Sequence, residues 1–422
     1  AVAESNGGIH RDLLRHLFDV GVARCHPRDV LPALLPRDAP KGRNIVLGAG
    51  KAAAEMAAVA HEYLAGETVG LVVTRYGHGA LSSTGAIEVI EAGHPVPDDQ
   101  SVSAAATMLE LAASATPDDR VLFMMSGGGS ALLCAPIDGI SVEQKQDVTR
   151  FLLHSGARID EINCVRKHLS RIKGGGLASA AAAAEMLTYV ISDVVGDDPS
   201  DVASGPSIGV TSDAESAIEI LQKYGYADLE PVAEAIRGST RQPAPAHPVD
   251  VVATAGNAMA AIADAAGKAG WQPVIIGEEL EGIAEEVGRE HAGIALEYQG
   301  KGGRYALISG GELTVRVSNP NGRGGPNLEY LASLMIHLDG SAGIEALACD
   351  SDGIDGSEDN AGGYISGSSL ERAADLGLDP GILLAANDTY SFFDALGDLV
   401  ITGPTRTNIN DIRIILVGSS GG

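Results

Sequence analysis

Positive charge is scarce in this 422-residue chain: 29 Lys and Arg stand against 56 Asp and Glu, a formal net charge of −27. That balance argues against nucleic acid as the main partner, because phosphate backbones are held by clustered cations. The acidity is read as a solubility device, with adaptation to high salt as the alternative. Aromatic residues make up 4 % of the chain, and the single Trp271 reads as core, so no aromatic binding platform is expected. Cysteine is sparse too. Cys25, Cys134, Cys164 and Cys349 lie far apart, with neither a CxxC pair nor a Cys/His metal spacing. They read as reduced thiols of a cytoplasmic protein. No apolar run reaches the roughly 18 residues that span a bilayer, and the first residues do not pair a charged segment with an apolar core as a secretory signal does.

Alanine and glycine are plentiful, as suits helices packed closely on a sheet. The length predicts two or three domains. Short apolar runs at 44–48, 70–74, 87–91, 121–125 and 187–191 read as strands. Between them lie helical patterns near 51–65, 99–114, 141–155, 161–172 and 177–185, after an amphipathic helix at 9–24. This alternation predicts an α/β protein with a Rossmann-like, mainly parallel sheet. Residues 238–248 are rich in turn formers and read as a linker or long loop. The boundary drawn there gives domains 1–240 and 245–422. Beyond it, strands are expected at 249–253, 273–276, 305–309, 313–317, 344–348 and 412–417, with a helix at 257–269. A strand pair around Glu312 makes the second sheet mixed.

Three glycine turns follow apolar runs: Gly48-Ala49-Gly50-Lys51, Ser126-Gly127-Gly128-Gly129-Ser130, and Ser309-Gly310-Gly311-Glu312. Bare backbone N–H groups at a strand end suit an anion, a phosphate or a carboxylate. The first turn formally satisfies G-x-G-x-x-A, a dinucleotide pattern, but the next strand ends in Val73-Thr74-Arg75 with no acid for a ribose. A P-loop is excluded by its spacing. Lys51 instead reads as a point charge on transferring phosphate oxygens, or as a surface lysine in a tight turn.

Arg150, Arg158, Arg166, Lys167, Arg171 and Lys173, with His154 and His168, form a basic island in an acidic chain. It suits an anionic ligand, with a solvated helix face as the plain alternative. Acidic clusters end two strand-like runs: Asp193, Asp197 and Asp198, then Asp350, Asp352 and Asp355. Such carboxylates hold Mg²⁺ or accept a hydroxyl proton, or merely cap turns. Arg323 and Asn327 are the polar candidates of a further glycine loop that opens a helix.

Taken in order, Gly48-Ala49-Gly50-Lys51-Ala52, Gly93-His94-Pro95-Val96-Pro97-Asp98, Ser126–Ser130, Arg166-Lys167-His168-Leu169-Ser170 and Ser192-Asp193-Val194-Val195-Gly196-Asp197 resemble the N-terminal part of glycerate 2-kinases. Ser309–Glu312, Asp352-Gly353-Ile354-Asp355-Gly356 and Thr402–Asp411 resemble their closing MOFRL domain. The resemblance implies transfer of a phosphoryl group from ATP, with Mg²⁺, to the 2-hydroxyl of D-glycerate, in a cleft between two α/β domains. On that reading Lys51 stabilises the phosphoryl group and Asp193 positions or deprotonates the hydroxyl. The Ser126, Gly127, Gly128, Gly129 and Ser130 backbone cradles an anion. Arg166, Lys167 or Lys173 faces the carboxylate or the phosphates, with Arg323 and Asn327 as further contacts. Asp352 and Asp355 are the metal candidates. Pro326 and Arg406 depart from the family pattern, where some members carry Arg and a small residue. The competing activity is an NAD(P)H-dependent hydroxypyruvate reductase using the Gly48 turn and Arg75. A nucleotide-binding module without turnover is the non-enzymatic alternative. Small-molecule substrates, no nucleic acid and no membrane are expected; a homodimer is one option for the assembly.

Overall fold

Strands buried on both faces read as unbroken apolar runs, and the two such runs at 44–49 and 120–125 form the centre of the first sheet. The computed structural model describes residues 10–418. The first sheet contains β1 (Asn44–Ala49), β2 (Thr68–Arg75), β3 (Ala86–Ala92), β4 (Arg120–Met125), β5 (Glu185–Ile191) and β6 (Val249–Ala253). Its order is β3-β2-β1-β4-β5-β6, and β1 to β5 pair in parallel. The chain winds outward from β1 to β3, then returns to lay β4 on the other side of β1. The C-terminal ends of β1 and β4 therefore flank the point where the winding reverses, the usual place for a ligand in such sheets.

The helix Asp99–Ala113 covers this sheet with Ala104, Ala105, Met108 and Ala112 against Ile45, Leu47, Val121 and Phe123. Asp98 and Ser101 form a reciprocal cap at its start. A satellite layer of helices, Val142–His154, Ile159–His168, Ala214–Tyr224 and Leu229–Gly238, closes over its own core of Val148, Leu152, Ile162, Val165, Leu221 and Ile236. Ser141 and Gln144 cap the first of these helices in the same reciprocal way.

The second sheet contains β7 (Gln272–Ile283), β8 (Arg304–Thr314), β9 (Ile344–Asp350), β10 (Gly362–Ile365), β11 (Leu399–Val400) and β12 (Asp411–Gly418), in the order β11-β10-β9-β12-β8-β7. It is mixed as expected: β7 and β8 pair in parallel and the other recorded pairs are antiparallel. The expected strand pair around Glu312 is instead one strand, Arg304–Thr314. Its glycines do not turn the chain. Gly311, at φ +96°, accompanies a register shift against β7, and a side chain on Gly310 would meet the Glu278 carbonyl.

Contacts divide the chain into two compact units, Pro27–Val252 and a second that joins the residues before Pro27 to those from Ala253 onward. A boundary at 240/245 places the N-terminal helix in the first domain. The helix Arg11–Arg24 packs instead in the second unit, where Gly21 lies against Ile262 and Ile412 and the Thr407 hydroxyl donates to the Cys25 carbonyl at 2.7 Å. Residues 240–248 carry no regular structure but are tied down. Arg241 donates to the carbonyls of Gly174, Lys167 and Ser170, and the Ser179 hydroxyl donates to the Gln242 carbonyl at 2.7 Å.

Candidate active site

The turn after β1 and the loop after β4 are knitted together by their backbones. The Ser126 N–H donates to the Ala49 carbonyl at 3.0 Å, and the Lys51 N–H donates to the Gly127 carbonyl at 2.9 Å. Ser126 Oγ accepts from the Ala52 N–H at 3.1 Å. Gly50, at φ +134°, has Ser126 where a side chain would stand. The Gly50 N–H donates to the Val73 carbonyl at 3.0 Å, and the Ala53 N–H donates to the Gly50 carbonyl at 3.1 Å. Every amide from Gly50 to Ala53 thus has an acceptor inside the protein. A dinucleotide site needs those amides open toward a pyrophosphate, so the G-x-G-x-x-A string serves packing here.

The second loop differs. Gly128 adopts φ +86° and precedes the short helix Gly129–Leu132. Among the described residues, the N–H groups of Gly127 and Gly128 meet no acceptor. A side chain on Gly128 would lie 3.2 Å from the His94 ring and 3.3 Å from Lys51 Cγ, so the loop, His94 and Lys51 share one small space. Behind it, Ala203 and Ser204 take left-handed conformations at φ 53° and 61°. Ala203 leaves room only for glycine at 129, and the Ser204 and Ser130 hydroxyls lie 2.8 Å apart. Strained residues packed against a glycine loop fix its shape from the far side. Asp193 lies half-buried just beyond β5, the strand next to β4.

The basic island divides into two groups. Arg150 pairs with Asp147, Arg158 with Asp160, and Lys167 with Asp201 at 3.4 Å. Arg171 donates to the Pro136 carbonyl, and the His168 ring meets the Ser212 hydroxyl. Arg166 and Lys173 are set apart from these pairs. They line a cavity of about 350 Å³ together with Ser130, Cys134, the Pro95-Val96-Pro97 turn, and Lys145, a residue that the sequence did not single out. Ser170 positions Lys173 by accepting from its N–H at 3.0 Å, and Lys173 Nζ donates to the Ser130 carbonyl at 2.6 Å. Burial, with Lys145 and Arg166 adding to it, holds the Lys173 ammonium well below its ordinary pKa. Burial also lowers Lys145 and Arg166.

The candidates of the second unit are occupied. Asp355 accepts from the Asn327 N–H at 2.9 Å and the Leu328 N–H at 3.1 Å, and so caps the helix Pro326–Leu338 from outside it. Asn327 Nδ2 bridges Asp355 and Asp411 at 3.2 and 2.8 Å, and Asp411 pairs with the buried Arg413 at 3.0 Å. Burial and the neighbouring Asp411 push Asp355 up to about 7. Asp352 accepts from the Ile354 N–H at 2.8 Å in a tight turn. Arg323 is exposed, over the Tyr390 ring and donating to the Ser391 hydroxyl at 3.1 Å. Asn327, expected at a ligand, is thus held between two carboxylates. Asp355, expected at a metal, already takes N–H donors on both oxygens, so the pair Asp352 and Asp355 does not fit a Mg²⁺ shell. Among the described residues, no three His, Cys, Asp or Glu side chains are grouped to hold a metal ion. Nor is any helix long and apolar enough to cross a membrane.

An open glycine loop and a lysine at the reversal of a parallel sheet define an α/β enzyme acting on anionic ligands. Residues 13–237 match the domain of unknown function DUF4147, and residues 305–411 match the MOFRL family. A D-glycerate 2-kinase of Thermotoga maritima is 41 % identical over 89 % of this chain and 91 % of its own. A putative hydroxypyruvate reductase of Agrobacterium vitis is 47 % identical over 97 % of this chain and 94 % of its own. The crystal structure of a glycerate kinase from T. maritima superposes with a TM-score of 0.85 at 37 % identity, covering 96 % of this chain and 99 % of the other. The chain belongs to the glycerate 2-kinase family, in which a DUF4147 domain is joined to a MOFRL domain.

Proposed function

We propose that the enzyme transfers the γ-phosphoryl group of ATP to the 2-hydroxyl of D-glycerate, giving 2-phospho-D-glycerate and ADP. The observation that carries this reading is the open Gly127–Gly128 backbone beside Lys51 at the sheet reversal. Phosphoryl transfer asks a protein mainly for positioning and for charge placed around the moving group. Lys51 supplies a point charge, and the glycine amides supply donors that need no rearrangement. Asp193, one strand further along, orients the 2-hydroxyl and takes its proton. Arg166 and Lys173 add positive charge for the remaining anionic group. Mg²⁺ enters as the complex of ATP, as substrate.

The names of the relatives favour two activities, and the hydrogen bonding around Gly50 argues for the kinase. A reductase would need the Gly50–Ala53 amides for a dinucleotide pyrophosphate, and all of them are engaged. The test is incubation with ATP, Mg²⁺ and D-glycerate, followed by enolase, which acts on 2-phosphoglycerate and not on the 3-isomer. Phosphoenolpyruvate is the expected product. NADPH oxidation by hydroxypyruvate, with no ADP formed from ATP and glycerate, would overturn the reading.

A further inference from the structure

The cavity lined by Lys145, Arg166 and Lys173 has an unusual electrostatic composition. Helix Val142–His154 brings Lys145 and the rim residue Arg150, helix Ile159–His168 brings Arg166, and the segment after the glycine loop brings Cys134. Neither Asp nor Glu is among its lining residues. Arg150 has Asp147 at 2.7 Å outside the cavity, whereas Lys145 and Lys173 are 7 % and 2 % exposed. Buried cations are normally paired, because desolvation is costly unless an opposite charge offsets it. In a protein of charge −27, two lysines and an arginine left facing a cavity call for an anion from outside.

Resting on the kinase reading, we propose that this cavity seats the carboxylate of the acceptor, and that Lys145 is one of its direct ligands. The cavity and the glycine loop are contiguous through Ser130, whose carbonyl holds Lys173 and whose backbone continues the loop. The two sites divide the anionic groups between them. The open amides and Lys51 suit the transferring phosphoryl group, and the cavity with its buried lysines suits a small monoanion. Its Pro95-Val96-Pro97 wall offers a three-carbon body an apolar face.

The geometry also ties binding to a proton. Lys145 and Lys173 line the same cavity, and burial holds both amines below their ordinary pKa. A carboxylate between them favours the charged form of both, and the site draws a proton from solvent as it fills.

The experiment titrates D-glycerate calorimetrically at pH 8 in two buffers of different ionisation enthalpy, without nucleotide. Glycerol serves as the uncharged control, and the β,γ-imido analogue of ATP with Mg²⁺ as the phosphate control. We expect net proton uptake with glycerate and none with either control. Lys145→Met and Lys145→Gln, each checked by thermal unfolding, should diminish that uptake. They should raise KM for glycerate about 10- to 100-fold and leave KM for ATP within about twofold, as befits loss of a hydrogen bond to a charged group. Proton uptake with the ATP analogue, or a rise in KM for ATP instead of glycerate, would assign the cavity to the nucleotide and overturn the proposal. Unchanged KM values in both folded variants would overturn it as well. Proton-linked glycerate binding without phosphoenolpyruvate formation would sink the kinase reading alone.

Discussion

Both units bury charge, but they treat it in opposite ways. In the second unit the charges answer one another: Asp355 takes backbone N–H groups, Asn327 bridges it to Asp411, and Asp411 holds Arg413. In the first unit Lys145, Arg166 and Lys173 converge on a cavity with no carboxylate among its walls. A closed network specifies a fold, and an open one of a single sign awaits a ligand. The identities of the residues do not separate the two cases. Asp355 and Lys173 both sit beside glycine-rich turns, and both read as site residues from the sequence.

That contrast can be broken or sharpened by experiment. The largest effect belongs to Lys51→Ala, which should lower kcat/KM for glycerate phosphorylation about 100- to 1000-fold with thermal unfolding unchanged; a loss of only a few-fold would remove Lys51 from its role. Next comes Asp355→Ala. Losing the acceptor of two helix-start amides should destabilise the second unit by about 2–3 kcal/mol, independently of Mg²⁺, as read by denaturant unfolding. A Mg²⁺-dependent loss would restore the carboxylate to a metal site.

Lys145→Met should act with the opposite sign on stability. Removing a buried cation that lacks a counter-charge should stabilise the first unit by about 1–2 kcal/mol at pH 7 while weakening glycerate binding. Destabilisation would mean that the cation already has a partner. The fourth effect is set by pH. Burial, reinforced by Arg413, pushes His291 down to about 4. Folded protein therefore binds fewer protons at this site than unfolded protein between pH 6.5 and 4, and stability falls as pH drops through that window. Asp355, raised to about 7, works the other way, its contribution being lost as pH rises from about 4 to 7. His291→Gln should remove the first arm, so its Tm relative to wild type should climb steadily below pH 6.5. The smallest effect is Arg158→Ala. That cation of the basic island is exposed and paired with Asp160, and its loss should leave both KM values and Tm unmoved; a rise in either KM would return the whole island to the site.

Much of the first unit was legible because its strands are apolar runs and its site is a glycine loop at a strand end. β1 and β4 emerged within a residue of their expected bounds. The second unit was harder to read. β10 has four residues, two of them glycine, and β11 has only two, too short for any periodicity. Gly310 and Gly311 looked like a turn because a chain string does not show which neighbouring strand is pressing on it. Lys145 was invisible for a related reason. A lysine at a helical position reads as solvated, and only the packing of helices 142–154 and 159–168 turns it inward. The G-x-G-x-x-A string misleads in the reverse direction, since which amides are already bonded is a property of Ser126 and Gly127, far along the chain.

The helix Arg11–Arg24 belongs to a sheet whose last strand is Asp411–Gly418. During synthesis, at about 5–20 residues per second, this helix leaves the ribosome roughly 20 to 80 s before that strand exists. The inserted unit, Pro27–Val252, can close on itself in the meantime. The helix must wait with Leu14, Leu17 and Phe18 uncovered, and it is there that a chaperone would find a long-lived handle on this protein.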